Sequence, residues 1–361
     1  MTTQLTPLDS RTARVEALPV PERAKPVKWW AALGIAYMSL AFYTWGRWLT
    51  SGQLHATPHG PSPIPSYSLW WIDTIDVISV PLGLVTIYWW GIRPWRRCGR
   101  ITTDGILIIA FLMCCYQDPL MNYTQLNFDY NSYHLNVAGW LGSIPGVLQP
   151  GGHNYIEPLV GWMPAYLWAL FLPAVLGCVI LRAIRRRWPR IGNVGLFSLI
   201  FGFFCLFDLV IEPTLFVRTE VWAYPGVIRG LSLWAGTKYE FPIYESICMG
   251  LLYTGATALR WFLDDKGHTV AERGVDELRV RSGTKTILRT FAVTGAAAAI
   301  FFFTYNLPFN LISTHDAPFP KDMPSYLLDD ICGTGTPYQC PGPGVAIYHQ
   351  APRASPDQST K

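Results

Sequence analysis

The residues best placed for chemistry are carboxylates lying within or beside apolar segments: Asp73, Asp76, Asp118, Glu157, Asp208, Glu212, Glu240 and Glu245. An acid inside a membrane span is costly and defaults to a functional hypothesis. Asp208 is the hardest to explain otherwise, because it lies between Phe207 and Leu209 in the run Gly202–Ile211. Asp208 and Glu212 are four residues apart and share a helix face. At a rise of 1.5 Å per residue, Asp208 sits ~6 Å deeper than Glu212. Asp73 and Asp76, three apart, nearly share a face as well. Two carboxyls close together at low dielectric do not both ionise, so one keeps its proton. That places a general acid beside a general base without a cofactor. The expectation is Asp208 as protonated acid and Glu212 as base, with Asp118, Asp73, Asp76 and Glu245 as further candidates. The plainer reading of Asp118, Glu157 and Glu240 is a solvated helix end, and that of Asp73 and Asp76 a helix start. Asp104, after Thr102 and Thr103, reads as a helix cap.

Other chemistries find little support. The seven histidines form no metal-binding cluster, and His55 and His59 lie among prolines. Adjacent Cys114 and Cys115 face different directions and read as small core residues. There is no phosphate loop or dinucleotide fingerprint, and Gly151-Gly152-His153 reads as a turn. No cofactor and no metal are therefore expected. The aromatic wealth fits an interfacial belt, and equally a ring-lined cavity for an apolar substrate or a cationic transition state.

These residues need elements to position them. Half of the 361 residues are hydrophobic and only 14% are charged, against roughly a quarter in a soluble domain. Sixteen tryptophans add to the membrane signature. Segments 28–48, 70–92, 101–119, 158–181, 191–213, 241–263 and 286–306 are each apolar enough to span ~30 Å of hydrocarbon. The connections test that count. Segments 93–100, 182–190 and 264–285 carry clustered Arg and Lys, whereas 50–69 and 120–157 carry none. Segment 214–240 is the weak case, with Arg218, Arg229 and Lys238. Positive loops stay inside, and seven spans put every basic segment on the inner side. The predicted fold is all-α: a polytopic membrane helix bundle of about seven transmembrane helices. Its N-terminus is cytoplasmic, its C-terminus outside, and the protein is multi-pass in the cell membrane.

Residues 1–27 read as a disordered cytoplasmic tail rather than a signal peptide, 28–306 as the membrane domain, and 307–361 as an outer tail disordered after about 350. The outer segments 120–157, 214–240 and the tail are long and aromatic, and are expected to fold over the helix ends as a lid. Tyr130, Asn131, Tyr133 and Trp140, with Glu157 and Tyr244, are expected to bind substrate there. Cys332 and Cys340 are expected to pair, since the outside is oxidising. A weak internal echo links Gln117-Asp118-Pro119 with Ile211-Glu212-Pro213.

Several strings carry a family resemblance: Phe128-Asp129-Tyr130-Asn131-Ser132-Tyr133, Lys238-Tyr239-Glu240-Phe241-Pro242-Ile243-Tyr244-Glu245, Asp264-Asp265-Lys266-Gly267 and Ala271-Glu272-Arg273-Gly274. Together they resemble the AveC-type spirocyclase family of actinobacterial membrane proteins, over most of the chain. The resemblance implies a place in macrolide polyketide biosynthesis, closing a dihydroxy-ketone into a spiroketal, with dehydration of the product as a further activity. It supplies no catalytic set, so the site residues above rest on the residues themselves.

The resulting expectation is a cofactor-independent acid–base cyclase or dehydratase acting on a hydrophobic polyketide or terpenoid. Its partners would be that substrate and the lipid bilayer, with no nucleic acid; oligomeric state is not readable. Three rivals stand beside it. A proton-coupled transporter would use the same acids, and Pro81 and Pro173 leave interrupted helices open. A metal-dependent prenyltransferase would read Asp208 to Glu212 as half of an Asp-rich motif. A scaffold for other membrane enzymes would use none of these acids.

Overall fold

Prolines and helix caps set the limits of the helices. Pro58, Pro61, Pro63 and Pro65 keep the chain extended until Ser66, and Pro65 is itself in an extended conformation. Thr102 caps the third helix, its Oγ1 accepting from the Gly105 N–H at 3.3 Å. Asp104, expected as that cap, instead forms a bidentate pair with Arg260 at 2.9 and 2.8 Å. The computed structural model describes residues 25–147, 152–161, 164–312, 315–332 and 340. The expected tails at 1–24 and 341–361 lie outside the described residues.

Among the described residues the long helices are α1 (Pro26–Leu49), α2 (Ser66–Cys98), α3 (Thr103–Asn122), α4 (Tyr166–Arg187), α5 (Asn193–Val217), α6 (Ile243–Trp261) and α7 (Ser282–Ile312). Five of them, α2 to α5 and α7, are long and apolar enough to cross a membrane. The other two are less apolar because α1 is rich in Trp and Tyr and α6 carries Tyr244, Glu245, Ser246, Thr254 and Thr257. The largest boundary difference from the sequence reading is at α4, expected from 158 but starting at Tyr166. Residues Ile156–Pro158 are a strand instead, and Gly161 and Pro164 delay the helix. At the other end, α7 runs past 306 to Ile312.

Helix direction alternates along the chain, so the connections gather at two ends. At one end, three short antiparallel pairs build a cap. Strand β1 (Asp129–Tyr130) pairs with β4 (Trp222–Ala223), β2 (Asn136–Ala138) with β3 (Ile156–Pro158), and β5 (Ser232–Leu233) with β6 (Phe241–Pro242). Further backbone bonds tie in the remaining segments: Ala138 N–H to the His55 carbonyl, Ser132 N–H to Tyr326 and Ala317 N–H to Val227. Cys332 and Cys340 form a disulfide beside this cap. The opposite end holds the basic connections, joined by Thr103 Oγ1 to the Gly267 carbonyl and by Arg289 to Glu272 at 2.7 Å.

Helices α1 and α7 cross at two glycines. A Cβ on Gly34 would fall 1.9 Å from the Phe291 carbonyl oxygen, and one on Gly295 would fall 2.4 Å from that of Trp30. The buried positions of α1 recur every three or four residues: Val27, Ala31, Gly34, Met38, Ala41 and Thr44. Its other face exposes Trp29, Leu33, Leu40 and Phe42.

Candidate functional site

Beneath the cap, a cavity of about 370 Å³ opens among α3, α4, α5, α6 and α7. Its walls are mostly aromatic and aliphatic, with Asp118, Asp208 and Glu212 as the acids. Among the described residues, no Lys, Arg or His lines it.

The first acidic centre comes from two helices. Phe204, Asp208 and Glu212 follow one another at four-residue spacing along the buried face of α5. Glu245, in the first turn of α6, completes the group. Carboxylate oxygens of Asp208, Glu212 and Glu245 lie within 4.8 Å of one another, all buried. The cap and α7 supply the donors. Glu212 Oε1 accepts from Trp222 Nε1–H at 2.9 Å and from the Tyr224 hydroxyl. Glu245 Oε1 accepts from the Tyr305 hydroxyl at 3.2 Å. Among the described residues, Asp208 Oδ2 and Glu245 Oε2 are buried without a hydrogen-bond partner.

The second centre is Asp118. The last turns of α3 tighten into a 3₁₀ helix over Cys114–Asn122, which swings Asp118 under the cap. Its Oδ1 accepts from the Tyr166 hydroxyl at 2.6 Å and the Tyr130 hydroxyl at 2.9 Å. The helices around the cavity are locally widened. Tyr166–Leu170, Pro213–Val217 and Phe302–Asn306 are π-helical turns, and they contain Tyr166, Phe216 and Tyr305. Such turns are frequent at functional sites because they reorient side chains by inserting a residue.

The structure thus brings together Asp208, Glu212, Glu245, Asp118 and Tyr130. It does not bring Asp73 or Asp76 to them. Asp73 is exposed on α2, and Asp76 receives the Leu135 N–H at 3.2 Å and meets His134 Nδ1 at 2.8 Å, a tie between helix and cap. Of the expected substrate-binding residues other than Tyr130, none lines the cavity. Asn131 donates to the Glu220 carbonyl at 2.7 Å, Tyr133 stacks on His59, Trp140 donates to the Tyr116 carbonyl at 3.0 Å, and Tyr244 packs on Phe309. Glu157 is buried in strand β3 facing Gly139, and burial, then the Asp118 charge, pushes its carboxyl well above the usual range. The residues that sequence reasoning missed are the donors: Tyr166, Trp222, Tyr224 and Tyr305. No local spacing marks them, since each reaches its acid from another element.

A further acid pair was also missed. Asp129 and Asp329 are fully buried together in the cap, and Asp329 Oδ2 accepts from the Ile156 N–H at 3.2 Å. Burial pushes the Asp129 carboxyl up to about 8, against the lowering contact with Asp329. In an unfolded chain the same group ionises near ~3.9. Between those values the folded form keeps a proton that the unfolded form has lost, so stability falls as pH rises. The contribution is complete below ~4 and is lost as pH passes about 8. Asp129→Asn removes that loss. Its melting temperature in detergent is expected to exceed that of the wild type at pH 8 and to converge with it toward pH 4; equal pH dependence in the two proteins would refute the assignment.

No curated protein and no solved structure matches the chain. The pattern of one family does: that described as "Spirocyclase AveC-like" matches residues 95–327, which include all of the cavity's walls. With well over half of the chain matched, this protein belongs to the AveC-like spirocyclase family, which points to a cyclase-type role in polyketide biosynthesis.

Proposed function

We propose that the protein is a membrane-embedded acid–base cyclase that closes a hydrophobic polyketide with loss of water. The observation that carries this reading is one apolar, ring-lined cavity reached by two separate acidic centres, Asp118 and the Asp208–Glu212–Glu245 group. All seven helices cross the bilayer, the cap lies outside, and the basic connections face the cytoplasm. The alternation of helix direction and the apolar outer face of α1 support that arrangement.

Spiroketal closure adds two hydroxyls of the substrate to one ketone. The first addition gives a hemiketal. Its hydroxyl is then protonated and leaves as water, and the second hydroxyl attacks the resulting oxocarbenium ion and gives up its proton. Each step needs an acid or a base within hydrogen-bond reach. Glu212, receiving an N–H and an O–H on one oxygen, suits the base. Asp208 carries the proton, because three neighbouring buried carboxyls do not all ionise. Asp118, held by two tyrosines, orients the substrate carbonyl or hydroxyl. The cation develops among faces of Tyr253, Phe301 and Trp222, which favour positive charge. Dehydration of a related alcohol would use the same groups.

The test is a deletion strain restored with wild type or with Asp208→Asn. A compound heavier than the product by one water should accumulate and be cleared only by wild type. The same product, distributed differently between cells and medium, would replace the enzyme with a transporter. A second reading has one observation in its favour: the three carboxylates are close enough to hold a divalent cation. Acid–base catalysis by protons predicts that conversion survives exhaustive chelation of the purified protein; loss on chelation and recovery with Mg²⁺ or Mn²⁺ would assign the carboxylates to a metal.

A further inference from the structure

The cavity has a side opening. Two of its lining residues, Leu176 on α4 and Phe207 on α5, are also 40% and 38% exposed on the outer surface of the bundle. The two helices pack tightly near the basic end, where Leu181 meets Leu196, Ile200 and Phe204. Toward the cap both helices line the cavity, α4 through Trp168, Leu172 and Leu176 and α5 through Phe207 and Ile211. The rim is apolar. From Tyr166 to Leu181, α4 has no charged residue, and α5 has only the buried Asp208 and Glu212. The surface beyond the rim is apolar too, with Val179, Leu206 and Val210 all more than half exposed.

Depth decides what this opening meets. Phe207 lies fourteen residues into α5, ~21 Å from its basic end at 1.5 Å per residue. Within ~30 Å of hydrocarbon that is well below the headgroups. Water is absent there, and lipid chains are the medium. The cavity is also at the small end of the ~300–1,000 Å³ range of ligand sites, so it houses the reacting part of a large substrate and not the whole.

We infer that the substrate enters sideways from the hydrocarbon layer, through the gap between α4 and α5, and that it is an amphiphile whose apolar chain stays in that gap while its oxygenated part reaches Asp208. The inference rests on the membrane placement proposed above. It makes Leu176, Phe207 and Ile211 the gate, and it requires that the reaction supplying the substrate release it into the bilayer.

The experiment uses the full chain in phosphatidylcholine vesicles, with hexadecanol carrying a photoactivatable diazirine near its hydroxyl as the probe. Cavity residues such as Tyr253 and Tyr224 should be labelled, and unlabelled hexadecanol should compete. Leu176→Trp with Ile211→Trp should lower that labelling about tenfold, while Val210→Trp on the outer face should not. If the double variant does not fold, Leu176→Trp alone serves instead and should lower the labelling in the same direction. Cavity labelling that persists at the wild-type level with the gap filled would overturn the inference. Asp208→Asn should still be labelled, so a failure of the acid–base reading and a failure of the lateral route give different results.

Discussion

Asp208→Asn is expected to lower turnover by a factor of about 10²–10⁴, the usual share of a positioned proton donor, while the protein stays folded. The amide has the shape of the acid, and it relieves the crowding of three carboxyls whose oxygens lie within 4.8 Å. Stability in detergent should therefore hold or rise. What disappears is the titratable proton at the deepest point of the polar wall. Glu212→Gln is expected to act similarly, since an amide oxygen still accepts from Trp222 and Tyr224 but takes up no proton. Asp73→Asn is the internal control: Asp73 is exposed on α2 and does not line the cavity, so conversion should be unchanged. The measurement is conversion rate by purified protein, with melting curves run alongside. A folded Asp208→Asn variant converting at the wild-type rate would remove the carboxylates from the chemistry.

The largest loss of stability is expected from Gly34→Val. Helix crossings in membranes rely on small residues that let backbones approach. A Cβ at position 34 would stand 1.9 Å from a carbonyl oxygen of α7, and backbone does not step aside as a flexible side chain does. Overpacking of a core costs about 1–3 kcal/mol and occasionally more, and this contact belongs at the upper end. Gly46→Val is the comparison, because a Cβ there meets nothing within 4 Å and lies on the same helix, α1. Thermal unfolding in detergent should separate the two clearly. Equal melting temperatures would mean that α1 is not seated against α7 as described.

Much of this architecture follows from patterns local to the chain. Apolar runs mark the helices, prolines and Thr102 mark their starts, and clustered arginines mark one end. The four-residue step from Asp208 to Glu212 also survives in three dimensions, because helical periodicity guarantees it. Spacing misled at Asp73 and Asp76, where a similar step puts one residue on the outer surface and the other against His134. The reason is that spacing fixes which residues share a face and not which face turns inward. The tyrosine and tryptophan donors were illegible for a different reason. Tyr305 reaches Glu245 across 60 residues and Tyr166 reaches Asp118 across 48, so no short window holds either pair. Trp222 and Tyr224 follow Glu212 closely but lie beyond the end of α5, so no helical period relates them to it. The Asp129–Asp329 pair spans more still. In the C-terminal segment the left-handed backbone at Asp329 and Asp330 is unannounced by any glycine.

The cap has a consequence for how the chain matures. Its strands join residues far apart in sequence, Tyr130 with Trp222 and Ser132 with Tyr326. Contacts of such separation form late, because loop closure must be paid before they yield anything. With the membrane placement proposed above, chain emerging from synthesis therefore brings Glu212 into the bilayer before its donors Trp222 and Tyr224, and Glu245 before its donor Tyr305. Until α7 is in place, Glu245 lacks its tyrosine donor. A chain truncated before α7 is then a species whose Glu245 carboxyl lacks its Tyr305 donor, the kind of intermediate that quality-control proteases of the membrane remove. Completion of the cavity's acidic group and escape from degradation become the same event.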